Sequence, residues 1–335
     1  MLSVTRVLFL ILSASMHSIA RSKLEVKVSS MSTERLESNI EHVNFAKQWT
    51  LTATNSNRNT DSMNAIDTIN NDDESEDEMD FDSFDHEHEQ IDTIKLHLPG
   101  RVFLSYSNNL PPSVLSYVNV SGDSHTIVET VQVTSNANDG KLEVTYGSSP
   151  STGGYLLTEI YLGTSNVVSE IEIESSAEVV IEHGVLCMSN TNKELQIEMK
   201  QASVMYVSSS AISVQDLNVK LEDEATLQLI ADSITIRQSG TFEAQDESSL
   251  CLFTSSIKVN DLKLDAKHAS TICINAKEVT ASTYDVDERS KISLPNAMSK
   301  ITSTGTVSCD KVNTPVREPR CLLQAFNYVK HTICT

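Results

Sequence analysis

Between Gln201 and Leu294 the chain reads QASVMYVSSSAISVQDLNVKLEDEATLQLIADSITIRQSGTFEAQDESSLCLFTSSIKVNDLKLDAKHASTICINAKEVTASTYDVDERSKISL, and an alternating apolar pair returns in it at a nearly constant interval. Met205/Val207 is followed by Leu227/Leu229, Leu250/Leu252, Ile272/Ile274 and Ile292/Leu294, in steps of 22, 23, 22 and 20 residues. A second ladder, Ile212, Ile234, Ile257, Val279 and Ile301, steps by 22, 23, 22 and 22. Leu195/Ile197, Leu217/Val219, Leu262/Leu264 and Tyr284/Val286 make a third, less regular set, so each repeat holds three short strands. Strict alternation marks half-buried strands, and a fixed period marks a repeat architecture. About 22 residues at roughly 3.3 Å each give a contour of about 70 Å, enough to close one coil and too little for a propeller blade. The expected fold is all-β, a parallel three-sided β-solenoid (β-helix) with equivalent residues stacked about 4.8 Å apart. A β-sandwich or leucine-rich repeats would also supply frequent strands, but neither requires a constant period of this length. In this register Leu229 and Leu252 point inward and Gln228 outward.

Upstream, alternation begins at Ile91 with Ile94, Leu96 and Leu98 and continues through Val102/Leu104, Val118/Val120, Val131/Val133 and Leu142/Val144. Turn formers separate these runs at Asn108-Asn109, Pro111-Pro112, Gly122-Asp123 and Asn138-Asp139-Gly140. The solenoid domain is therefore placed at residues 91–310. Its small-residue steps, Gln201-Ala202-Ser203, Glu224-Ala225-Thr226, Glu247-Ser248-Ser249 and His268-Ala269-Ser270, resemble those of the auto-transporter adhesin head (GIN) domain family. The opening strands Asp92–Leu96 and Gly100–Leu104 and the segment Asp139–Val144 are similar to that family's opening as well. The resemblance implies a β-helical surface module with a proposed adhesive role. Few repeat glycines, the cysteines, the N-terminal arm and the C-terminal tail depart from it.

At the start, Arg6 precedes Val7-Leu8-Phe9-Leu10-Ile11-Leu12, and Ser18-Ile19-Ala20 offers a small-residue cleavage site, so residues 1–20 read as a signal peptide. No later apolar run reaches the roughly 20 residues of a membrane span, so the mature chain is expected to be secreted and extracellular, with no membrane insertion. Residues 21–90 look sparse in apolar side chains and end in the run Asp72 to Glu78, then Asp80, Asp82, Asp85, Glu87 and Glu89. They read as a disordered acidic arm. Asp85-His86-Glu87-His88-Glu89 has metal-ligating residue types but lacks a calcium loop's central glycine, and no metal site is assigned.

Residues 311–335 form a Cys-containing capping tail, where Leu322, Leu323, Phe326, Val329 and Ile333 follow helical spacing and predict a C-terminal capping helix over the open coil. The six cysteines, Cys187, Cys251, Cys273, Cys309, Cys321 and Cys334, lack zinc-site spacing and allow fifteen connectivities. Cys251 and Cys273 hold the same place in successive repeats, which predicts a Cys251–Cys273 disulfide. Two of Cys309, Cys321 and Cys334 would then form a second bridge, with Cys187 unassigned. Asn119-Val120-Ser121 is a glycosylation sequon at Asn119.

A net charge of −21 repels phosphate backbones, so no nucleic acid is expected as a partner. Nucleophile elbows, zinc helices and nucleotide-binding glycine loops are missing from the sequence, and neither catalytic residues nor cofactors are assigned. Asp223/Glu224, Asp246/Glu247 and Asp287/Glu288, with Arg289, could serve a polysaccharide lyase or hydrolase on a β-helix, although Lys267-His268 interrupts the series. Solvated turn carboxylates are the simpler account of them, and His183 and His268 read as surface residues. The expected function is a non-catalytic extracellular binding or structural module for a cell surface or cell-wall polysaccharide, with a carbohydrate-active enzyme as the alternative.

Overall fold

A computed structural model describes residues 24–55, 90–136, 140–147, 153–287, 291–294 and 305–322. The chain begins with β1 (Leu24–Ser30), β2 (Glu34–Arg35), β3 (Phe45–Asn55), β4 (Thr93–His97), β5 (Gly100–Tyr106) and β6 (Val114–Gly122). A short helix, α1 (His125–Thr130), leads to β7 (Val131–Asn136), β8 (Lys141–Tyr146) and β9 (Tyr155–Leu162). Regular coiling follows through β10 (Glu170–Glu174), β11 (Ala177–Ile181), β12 (Glu194–Lys200), β13 (Val204–Val214), β14 (Asp216–Leu221), β15 (Thr226–Ala244), β16 (Ser249–Ala266), β17 (Thr271–Asp287) and β18 (Ile292–Ser293). A last strand, β19 (Arg320–Cys321), pairs antiparallel with β9.

The protein is a β-solenoid of about five turns. Met205, Leu227, Leu250, Ile272 and Ile292 are successive Cα partners in parallel strands, as the sequence period requires. Ile212, Ile234, Ile257 and Val279 form a second ladder, and Leu217, Gly240, Leu262 and Tyr284 a third. The inward rungs Leu229 and Leu252 are fully buried. The third ladder looked broken in the sequence because Gly240 takes the place of an apolar residue, and Phe242 fills the interior two positions on. The single 23-residue step has a local cause as well. β15 carries one extra residue between Ile236 and Ser239, a bulge that leaves the register on either side intact.

At the same corner of four successive coils a non-glycine residue adopts the left-handed conformation: Gln201, Asp223, Asp246 and His268, with φ of 59°, 59°, 59° and 55°. This bend lets the residue two places on, Ser203, Ala225, Ser248 or Ser270, turn into the interior, where only small side chains fit. Ser270 Oγ donates back to Ala244 O at 2.8 Å, and Glu247 N donates to Asp223 O at 2.8 Å, so the corners stack as the strands do. The small-residue motif is thus aligned as 201–203, 223–225, 246–248 and 268–270. Two of its four copies stand one residue earlier than the sequence motif placed them.

The N-terminal end departs from simple coiling. β4 and β5 lie between two later segments: β8 and β9 stack on one side of them, β10 and β11 on the other. β9 then pairs antiparallel with β6, β6 with β3, and β3 with β1, while β7 covers β8. These strands close the end of the solenoid, whose parallel edge would otherwise be open. The expectation of a disordered arm over 21–90 therefore fails for residues 24–55. Trp49, 4% exposed, and Leu51, 0% exposed, join the main core and supply the apolar burial that orders this segment. The acidic run 56–89, the signal peptide 1–20, and the helical stripe from Leu323 onward lie outside the described residues. The described part of the tail, 311–322, runs back along the outside of the coils together with the preceding residues 305–310, and Leu322 is buried.

Leu229→Ala is expected to cost about 2–5 kcal/mol in chemical unfolding, because the stacked neighbours above and below prevent collapse of the cavity. Gln228→Ala, on the outward side of the same strand, should cost less. Deleting residues 24–55 is expected to shift the protein into aggregates on size-exclusion chromatography, by uncovering the β6 edge; an elution profile unchanged from that of the intact protein would refute the capping role.

Candidate functional site

Two outer surfaces of the solenoid carry organised side chains. On the surface formed by β8, β4, β10, β12, β14 and the last parts of β15 to β17, alternate residues project outward as charged columns. One column runs Glu143, Lys95, Glu172, Glu198, Lys220, Glu243, Asp265 and Asp287. Ion pairs run along the columns, Lys95 with Glu172 and Lys200 with Glu174 at 2.6 Å, and between them, Lys141 with Glu143 at 2.8 Å, Lys220 with Glu222 at 2.7 Å and Lys263 with Glu243 at 2.8 Å. Hydrogen bonding from Lys141 holds the Glu143 carboxyl below its usual range, and Lys200 does the same for Glu174. The reciprocal bonds raise Lys95, Lys200, Lys220 and Lys263.

A shallow depression of about 290 Å³ on this surface is lined by Gln196, Glu198, Asn218, Lys220, Thr241 and Glu243. Gln196 Nε2 donates to Glu198 Oε1 at 2.8 Å, and Asn218 Nδ2 to Glu194 Oε1. Among the described residues, each carboxyl whose proton affinity is clearly displaced, Glu129, Glu143 and Glu174, is displaced downward, which is the opposite of what a general acid needs. The arrangement can offer repeated hydrogen bonds and paired charges to an extended molecule lying across the rungs.

The second organised surface is covered by the chain itself. Outward residues on β9, β5, β11 and β13 include Leu157, Phe103, Val180 and Tyr206, an apolar cluster separate from the interior. Over this surface, residues 309–320 cross the strands from β17 back to β9 as a strap. Pro315 and Pro319 disfavour a regular ladder there, and side chains anchor the strap instead. Cys309 is bonded to Cys273, with Cα atoms 5.8 Å apart. Gln228 imitates a strand's amide pairing: its Nε2 donates to Val312 O at 2.8 Å, and Val312 N donates to its Oε1 at 2.7 Å. Arg101 Nη1 donates to Val316 O at 3.0 Å and Glu318 O at 3.2 Å. The most extensively bonded non-covalent anchor is Arg317, which donates to Glu159 at 2.8 Å, Tyr161 at 3.0 Å, Ser105 at 2.6 Å and Glu182 at 2.7 Å, with its guanidinium 4.8 Å from the Phe103 ring centre.

The disulfide expectation is corrected by this strap. Cys251 and Cys273 are indeed Cα partners, but Cys273 is bonded to Cys309 and Cys251 is a free thiol. In-register side chains on parallel strands project side by side, leaving their Cβ atoms near the ladder spacing of about 4.8 Å rather than the roughly 3.5–4.5 Å a bridge prefers. Cys309 instead approaches from outside. Cys187 is a buried free thiol, and Cys321 is also disulfide-bonded. Gln228 does face away from the interior, as expected, yet it is only 4% exposed because the strap lies on it.

Among the candidate carboxylates, Asp223 and Asp246 share the stacked corner, both exposed. Asp287 does not, since it pairs with Asp265 on the strand before that corner. Glu288, Arg289 and the Asp85–Glu89 cluster lie outside the described residues. His268 is exposed and meets Asp246 at 2.9 Å, while His183 is exposed. Asn119 is half-buried on β6, and its Nδ2, the atom a glycan would occupy, donates to Glu159 at 3.0 Å. Sequence inspection missed the strap, although a signal was present: Val102-Phe103-Leu104, Val179-Val180-Ile181, Leu250-Cys251-Leu252 and Ile272-Cys273-Ile274 are unbroken apolar runs, which strands show when both faces are covered.

No protein-family profile matches the chain, and no curated protein matches it. Solved structures similar to it include a proposed adhesin of Bacteroides fragilis, 15% identical, covering 59% of this chain and 88% of the other with a TM-score of 0.38. Proposed adhesins of Parabacteroides distasonis (13% identical, 59% and 90% covered, TM-score 0.38) and Parabacteroides merdae (11%, 59% and 88%, 0.36) are similar too. At these identities and TM-scores the likenesses assign neither a family nor a function.

The charged columns set a pH window. The stability from Glu143 and Glu174 is fully present above their ordinary value of 4.5 and is lost as pH falls through their lowered values. That from Lys95, Lys200, Lys220 and Lys263 is present below 10.5 and is lost as pH rises through their raised values. Thermal melts are expected to fall on both sides of this window and to show smaller losses in high salt; a melting temperature that rises on acidification below 4.5 would contradict the assignment.

Proposed function

We propose that the protein is a secreted, non-catalytic extracellular binding or structural module, a three-sided β-solenoid that holds a cell surface or cell-wall polysaccharide through many weak contacts. The observation that carries this reading is the column of outward side chains kept in register through successive turns, from Glu143 to Asp287. Repetition at one spacing presents the same few groups many times, and simultaneous weak contacts multiply in strength along a polymer. Gln196, Asn218 and Thr241 supply neutral donors and acceptors in the shallow depression, a shape open to a chain passing through rather than closed around a small molecule.

Disulfide bonding at Cys273, Cys309 and Cys321 agrees with an oxidising compartment, and none of the described helices is long and apolar enough to cross a membrane. The resemblance of the corner motif to the auto-transporter adhesin head family supports the adhesive form of the reading. A carbohydrate-active enzyme on a β-helix has less support, because the corner carboxylates Asp223 and Asp246 are exposed to solvent at successive turns.

Co-sedimentation of the intact protein with insoluble acidic and neutral polysaccharides tests the reading. Binding is expected without release of reducing or unsaturated ends, and Asn218→Ala with Thr241→Ala should weaken it several-fold while leaving the melting temperature nearly unchanged. Release of new ends would favour the enzyme, and absence of binding to every polymer would overturn the proposal.

A further inference from the structure

We infer that Cys251 is the internal nucleophile of a thiol–disulfide exchange that unlatches the strap from the solenoid. Its thiol stands on the rung next to the disulfide: Cys251 and Cys273 are Cα partners on β16 and β17, and Cys273 carries the bond to Cys309. The strap passes over both, with Asp310 close enough for its charge to act on Cys251. A free thiol and a disulfide thus share one stacked outer column under one segment of chain.

In the exchange, the Cys251 thiolate attacks Sγ of Cys273. A Cys251–Cys273 bond forms as the Cys273–Cys309 bond breaks, and Cys309 leaves as a thiolate that takes up the proton Cys251 released to solvent. The number of disulfides is unchanged, so no outside oxidant or reductant is consumed. The Cα spacing of a parallel ladder, about 4.8 Å, lies within the roughly 4.4–6.8 Å that a disulfide spans, so the product can form in place. Its side-by-side Cβ atoms fit a bridge less well than the present pairing, and the strap's anchors at Gln228, Arg101 and Arg317 hold Cys309 where it is. The latched isomer is therefore the resting one.

Burial raises the Cys251 thiol above its ordinary value, a hydrogen bond with Ser249 opposes this, and Asp310 adds to it. Gln228 and Cys273, its neighbours on the flanking strands, carry no charge. Exchange is consequently slow at neutral pH and speeds up about tenfold per pH unit below the thiol's pKa. Release of Cys309 removes the strap's covalent tie to β17 and leaves that end held by the amide pair of Gln228 with Val312.

Disulfide mapping tests the exchange. The intact protein, Cys251→Ser, Cys251→Ala and Arg317→Ala are each held at about pH 8.5, where a raised thiol begins to ionise, then quenched with acid and N-ethylmaleimide and digested without reduction. Cys309 labelling together with a Cys251–Cys273 peptide is expected in the unsubstituted protein, several-fold more in Arg317→Ala, and neither in the two Cys251 variants. Label confined to Cys251 with Cys273–Cys309 intact, even in Arg317→Ala, would overturn the inference. So would a Cys251–Cys309 peptide, which places the attack on the other sulfur and leaves the strap tethered.

Discussion

Everything in this molecule hangs on the in-register stacking of one coil on the next. Parallel pairing satisfies the backbone polar groups of every interior strand and also brings equivalent side chains into columns. The inward columns make a continuous apolar core from Leu142 to Ile292, and the outward columns make surfaces whose chemistry repeats. A slip by one residue would turn Leu229 out and Gln228 in, so interior packing fixes the outer surface as firmly as the core. The bulge between Ile236 and Ser239 shows how that demand is met when a coil is one residue too long, with the surplus confined to a single corner.

Such stacking leaves two problems, open ends and bare outer faces, and the protein answers both with segments from beyond the repeats. Residues 24–55 and β6 add antiparallel strands to the first coils, reversing direction so that the parallel ladder stops. The strap answers the second problem by crossing the strands. With two prolines it forms no regular ladder before β19, and until it pairs with β9 there it is held at separate points by a disulfide, an amide pair and the guanidinium of Arg317. The charged columns on the other surface carry ion pairs such as Lys220 with Glu222 and Lys263 with Glu243, whose lysines stay in contact with water.

The repeat was legible almost rung by rung, since burial imposes period-two alternation within a strand and coil closure imposes a period near 22 between strands. Legibility stopped where contacts link distant segments. Val26, Val28, Trp49 and Leu51 alternate as a strand pair should, but their signal was diluted by the acidic stretch that follows. The stacking of β8 and β9 outside β4 and β5 leaves no trace in spacing, because 141–162 and 170–181 both read simply as the next strands. Cys251 and Cys273 were correctly placed side by side, yet pairing by register alone took no account of a third cysteine arriving from outside. The polar depression at Gln196, Asn218 and Thr241 could be anticipated only as outward positions, since its outline depends on side-chain pairing across three coils.

The strap has a consequence for how the chain is completed during synthesis. Arg101 bonds to residues 215 and 217 positions later, and Ser105 to one 212 later. A polypeptide emerging from its N-terminus can stack its coils well before those partners exist, and during that interval Phe103 and Val180 remain uncovered. Closing so long a loop is among the slowest steps in assembling a domain. The nascent solenoid therefore passes through a stage in which its architecture is nearly finished while one apolar face still awaits the end of its own chain, and it is at that stage that a chaperone or a neighbouring copy would find its opportunity.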